Sequence, residues 1–210
     1  RVQNHMLSAA IRDEKQQLVV KLTHQKIPYQ SFANQYMDMT DNTSYGATAQ
    51  YKRVLENSEL EAQLNWHDVK HEMGFFSPEK TGMMPMNTDA RDISSQIKWR
   101  LNLDSNSSLL LGQAFYDYRI DDWWSAVEGS AMMGPNDYIN INNGQRKRIA
   151  AFAEFESQIN TQLWLNSGIR VEHVNTRAED VQPYNEGMAM MNMSAMPMQP
   201  SNASAAAAFN

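Results

Sequence analysis

Residues 92–103 alternate without interruption, with Ile93, Ser95, Ile97, Trp99, Leu101 and Leu103 on one set of positions and Asp92, Ser94, Gln96, Lys98, Arg100 and Asn102 on the other. Successive side chains of a strand point to opposite faces, so a period of two predicts a β-strand and excludes an amphipathic helix here. Ile and Trp on one face with Lys and Arg on the other suit a wall between lipid and a wet lumen. The same period runs through most of the chain. Leu7, Ala9 and Ile11 lead into Leu18, Val20 and Leu22; Tyr45, Ala47, Ala49 and Tyr51 follow, then Leu60, Ala62, Leu64 and Trp66. Strand six, 109–120, is predicted to set Leu110, Ala114, Tyr116, Tyr118 and Ile120 on one face against Gln113, Asp117 and Arg119. Strand seven sets Ile149, Ala151, Ala153 and Phe155 opposite Glu154 and Glu156, and strand eight sets Leu163, Leu165, Ile169 and Val171 opposite Arg170 and Glu172.

The connections alternate in length. Tight turns are predicted at 13–16, 55–58, 104–107 and 158–161, and long loops at 28–42, 74–91 and 121–145. In an up-and-down meander alternate connections lie at the same end, which matches outer-membrane barrels with short turns on one side and long loops on the other. The expected fold is therefore all-β: eight antiparallel up-and-down strands of a transmembrane barrel over residues 1–178, with long Met-rich outer loops. Residues 179–210 read MAMMNMSAMPM and then SNASAAAA at their core, a Met/Ala-rich outer loop expected to be poorly ordered.

No run approaches the eighteen apolar residues of a membrane helix, but a spanning β-strand of about 9–11 residues leaves little trace in mean hydropathy, here −0.60. A net charge of −6, with 146–148 as the one short basic run, argues against a nucleic-acid partner. With no cysteine there is no disulfide framework. The chain opens on Arg1 without a signal region and is expected to be an internal segment or a processed product. Asp121, Asp122, Glu154 and Glu156 read as lumen charge, since no nucleophile accompanies them; no Gly-rich phosphate loop, HExxH or EF-hand pattern occurs, and the chain is not expected to be an enzyme. Trp66, Trp99, Tyr45, Tyr51, Tyr116 and Tyr118 would ordinarily be core aromatics, and on the apolar face of alternating strands they fit aromatic girdles equally well.

Of 15 methionines, all but Met6 fall in the predicted long connections or, for Met73, at a strand end entering one. They gather at one mouth. Methionine also fills irregular gaps, but gap-fillers would appear within strands. Thioethers are soft donors suited to Cu(I), and imidazole suits copper in either state. On the fourth strand His67, His71 and Met73 share the polar face, with Met83, Met84 and Met86 in the adjoining loop. Met37 and Met39 occupy the loop before it, and Met132 and Met133 the loop at 121–145. All nine residues other than His67 are candidate metal ligands; His67 reads as a lumen polar residue or relay.

The residues FANQYMDMTDN (32–42), HEM (71–73), GMMPMNTDAR (82–91), RIDDWW (119–124) and RIAAFAEFE (148–156) resemble the TonB-dependent copper receptors of the bacterial outer membrane. The likeness covers most of residues 4–187. It implies a 22-stranded, multi-pass barrel in outer-membrane lipid, closed by a plug, with uptake driven by the TonB complex through that plug. It further implies an HxM pair binding copper as transported ligand beside plug residues; here that pair is His71 and Met73. Plug and closing strands are then expected outside this chain. Two other readings stay open: a receptor of the same architecture for a siderophore or other metal chelate, and a closed structural or adhesive barrel.

Overall fold

A computed structural model describes residues 1–80, 82–128 and 136–182. Eight strands follow in chain order: β1 (Gln3–Arg12), β2 (Gln16–Ile27), β3 (Asp38–Val54), β4 (Ser58–Gly74), β5 (Met86–Asn102), β6 (Ser107–Trp124), β7 (Tyr138–Gln158) and β8 (Trp164–Glu179). They form one sheet in sequential order, each antiparallel to the next. This is the expected up-and-down segment. Among the described residues there is no helix.

The tight turns owe their sharpness to side-chain oxygens that replace missing ladder partners. Asp13 accepts from the backbone N–H of Lys15 and Gln16 at 2.8 and 2.9 Å, Asp104 from Asn106 at 2.7 Å, and Asn160 from Gln162 and Leu163 at 2.9 and 3.0 Å. Turns this tight fix the register of the strands they join.

Register assigns the two faces. The apolar face carries Leu18, Tyr51, Ala62, Ile97, Gln113 and Ala151 in one continuous cross-strand row from β2 to β7, and Leu60, Trp99, Leu111 and Ala153 in the next row on the same face. Leu64, Trp66, Ile97 and Trp99 are 41–49% exposed, and the buried hydrophobic residues among those described are Met39, Leu110 and Ala150. A sheet with so little apolar interior and so broad an apolar outside is built to meet lipid. The polar face carries Gln17, Lys52, Glu61, Lys98, Gly112 and Phe152 in the neighbouring row.

Two expectations change. Strand six turns over: Tyr116 lies opposite Ser94 and Arg148, and Tyr118 opposite Asp92 and Arg146, so both tyrosines sit on the polar face. Their rings stack at 6.3 Å, and the Arg148 guanidinium lies 5.7 Å from the Tyr116 centroid. They are not girdle residues. Gln113, Asp117 and Arg119 instead share the apolar side with Leu111 and Phe115. Both faces of β6 mix polar with apolar residues, so its neighbours decide the side. Trp66, Trp99, Tyr45 and Tyr51 do lie on the apolar face.

The long connections are also shorter than predicted. They run 28–37, 75–85 and 125–137, because β3, β5, β6 and β7 continue past the apolar band. Above that band the outward positions are Asp68, Lys70, Asp89, Arg91 and Asp121, so the alternation of polarity ends while the hydrogen-bonded ladder goes on. Met39 and Met86 therefore belong to strand ends, not loops.

Replacing Ile97 by Lys, in the middle of the apolar face, should destabilise the intact protein in lipid vesicles by about 2–4 kcal/mol, whereas Gln96→Lys on the opposite face should cost little. Denaturant unfolding followed by tryptophan fluorescence separates the two; equal losses would refute this assignment of faces.

Candidate metal centre

Two cross-strand rows end the polar face beneath the long connections. In the upper row Met39 lies opposite Met73, Met73 opposite Met86, and Met86 opposite Trp124. In the lower row Asn42 lies opposite His71, His71 opposite Thr88, and Thr88 opposite Asp122. Directly opposed residues have Cβ atoms about 4.5–5.5 Å apart. Three thioethers are thus immediate neighbours, one strand apart, with an imidazole two residues below the central one.

A β-bulge puts Met39 there. Asn42 and Ser44 occupy the polar face of β3, so simple alternation would turn Met39 outward with Tyr45. The register shifts between Met39 and Asp41, and the extra residue returns Met39 to the side of Met73. Thr40 meanwhile donates its hydroxyl to the Glu72 carboxylate at 2.8 Å on the other side. Met39 is 5% exposed, its backbone bonded in both directions to Gln30 at 2.8 and 3.0 Å.

The lower row is held by polar contacts. His71 Nδ1 lies 3.1 Å from Asn42 Oδ1. An amide oxygen only accepts, so Nδ1 carries the hydrogen and Nε2 keeps its lone pair. His71 stands above the apolar band, at the level of outward Lys70. Partial burial lowers its pKa from the ordinary range, against a smaller raising effect of Asp122. The neutral, ligating form is favoured. Both oxygens of Asp122 are engaged, by Thr88 at 2.6 Å and Asn140 at 2.7 Å.

The connections above these rows are clasped together. Asp38 is fully buried and pairs with the Lys80 ammonium, itself 8% exposed. The Asp38 carboxylate also accepts the backbone N–H of Phe32 and of Ser77, each at 3.1 Å, while Lys80 donates to the Phe32 carbonyl at 2.8 Å. Burial alone would raise the Asp38 pKa; Lys80, the Ser77 hydroxyl and the two backbone N–H groups outweigh it and hold the carboxyl well below its usual range. Tyr29 against Phe76 and Tyr36 against Phe75, each at 5.5 Å and edge-on, join the same two connections.

Of the candidate ligands, the structure brings together Met39, His71, Met73 and Met86. Met37 lies within the clasp, its carbonyl 3.4 Å from Lys80 Nζ. Met83 is 64% exposed and Met84 half-buried in the 75–85 connection. Met132 and Met133, like most of the 179–210 tail, lie outside the described residues. His67 sits lower on the polar face, 3.7 Å from Asp92. Among the described residues no group of three or more His, Asp or Glu could hold a metal, so a hard-ion oxygen cage is absent there. Sequence reasoning missed Asn42, Asp38, Lys80 and Trp124. The last was within reach: counting outward from the tight turn after β5 brings Trp124 opposite Met86.

Residues 10–199 match the family described as TonB dependent receptor-like, beta-barrel. This chain belongs to that family. Among solved structures the receptor segment is similar to one titled copper transporter OprC, with a TM-score of 0.71 at 15% identity. The match covers 84% of this chain and 29% of that one, and shows a shared fold. Comparison with curated proteins gives no match.

The depressed Asp38 pKa means that its contribution to the receptor's loop clasp is fully present above about pH 4 and is lost only as pH falls through the lowered range. Asp38→Asn leaves the Lys80 charge buried without a counter-charge. Amide exchange at Phe32 and Ser77 should accelerate about tenfold or more in that variant, with partial recovery in Asp38→Asn/Lys80→Met. Unchanged exchange would show that the clasp does not order the connections.

Proposed function

We propose that this receptor captures copper at the outer mouth of an outer-membrane barrel and passes it inward, with a plug domain and the TonB complex driving release. The observation that carries the reading is the row of Met39, Met73 and Met86 above His71. Neutral thioethers and a neutral imidazole form a soft donor set, suited to copper and poorly suited to calcium or magnesium. Supporting it, the structural neighbour is titled a copper transporter. Met37, Met83 and Met84, with Met132 and Met133, would offer weaker exchangeable stations before the tighter one at His71 and Met73. Ligands from a plug would complete the site and, on moving away, release the ion.

A second reading has an observation of its own. Tyr116, Tyr118, Arg146 and Arg148 meet on the polar face, the pairing of aromatic and cationic groups that an anionic metal chelate would use. The methionines would then be incidental.

Metal stoichiometry of the intact receptor by mass spectrometry, wild type beside His71→Ala/Met73→Ala, decides between them. Loss of one tight copper equivalent in the double variant is expected. Because the imidazole binds metal when neutral, that equivalent should persist somewhat below about pH 6.5, the ordinary imidazole range. Wild-type binding that the double variant leaves unchanged would favour the chelate receptor.

A further inference from the structure

The row of thioethers ends on an aromatic ring. Trp124 is the last residue of β6 and lies opposite Met86. It shares the polar face, since Asp122, two residues before it, bonds Thr88 across the same pair of strands. On its far side Trp124 is opposite Tyr138, with ring centroids 6.1 Å apart and planes tilted by 40°. Among the described residues its buried Nε1 has no hydrogen-bond partner.

The charge of this row bears on what a metal ion would gain from the ring. Met39, Met73, Met86 and Trp124 are all neutral, and the carboxylate one row below, Asp122, has both oxygens engaged. A divalent copper ion prefers harder or charged donors, which the row lacks. A monovalent ion needs less compensation, and an indole face attracts a cation more strongly than any other side-chain ring does. Building on the copper reading, we propose that Trp124 closes the metal site as a specificity-determining residue, its π face covering the ion and selecting Cu(I) or Ag(I) over Cu(II). The indole also excludes water from the side of Met86, where hydration would otherwise favour the divalent ion. No redox step is required, since the ion enters and leaves in one oxidation state.

The test uses the intact receptor with Ag(I) as a redox-inert probe and Cu(II) without reductant, each titrated against wild type, Trp124→Phe and Trp124→Leu. Trp124→Leu keeps apolar bulk without a ring and should weaken Ag(I) about 5- to 30-fold while leaving Cu(II) unchanged, with Trp124→Phe between. Trp124 is one of five tryptophans, so an Ag(I)-induced change in wild-type emission should vanish in Trp124→Phe even if that variant still binds. Equal Ag(I) affinity in all three proteins, with no emission change that depends on Trp124, would overturn the proposal. If His71→Ala/Met73→Ala still abolished Ag(I) binding in that case, the copper reading would survive without Trp124. Absence of Ag(I) binding in wild type would overturn both.

Discussion

The antiparallel ladder is the constraint from which the other features follow. In lipid an unpaired backbone N–H or C=O has no water to turn to, so each strand must exchange its hydrogen bonds with a neighbour along the whole spanning length. Once the ladder is continuous, the tight turns set which residues face each other, and side chains far apart in sequence become lateral neighbours. Met39 and Met86 are 47 positions apart in the numbering, yet each lies beside Met73. The unit of neighbourhood in such a wall is a cross-strand row. A linear motif names one member of it.

Two solvents divide each strand. Through the band that carries Leu64, Trp66, Ile97 and Trp99, the environment demands opposite polarity on opposite faces. Beyond it, water reaches both sides, and outward Lys70 pairs with Asp89 at 3.6 Å. The soft donors lie in this upper part. There a side chain can be covered by the connections above without being exposed to lipid, and polar partners such as Asn42 can hold His71 without the cost of an isolated polar group in hydrocarbon.

Where a strand met lipid on one side and water on the other, its faces were legible from residue order alone, as on β4 and β5. The expected pairing of His71 with Met73 on one face depends on nothing more than period two. β6 resisted because Leu110 and Tyr116 on one side match Leu111 and Phe115 on the other in apolarity; Asp92 and Arg148, on different strands, settle which side is which. The strand ends resisted for a different reason: with water on both faces, Asp121, Asp122 and their neighbours carry no polarity signal, and only pairing partners show that the ladder continues. The bulge at Thr40 was the least visible element. It changes no composition and breaks no pattern that residue order carries, yet it turns Met39 to the other face of the sheet.

The Asp38–Lys80 pair has a consequence for how a small ion would be received. By tying the connection that follows β2 to the one that follows β4, it removes independent motion from two segments that would otherwise each have to be ordered on arrival of a ligand. Conformational freedom surrendered during folding is not charged again at binding. Met39, 5% exposed at one end of the upper row, consequently sits beside two connections already joined to each other, and a ligand arriving there would not have to order them.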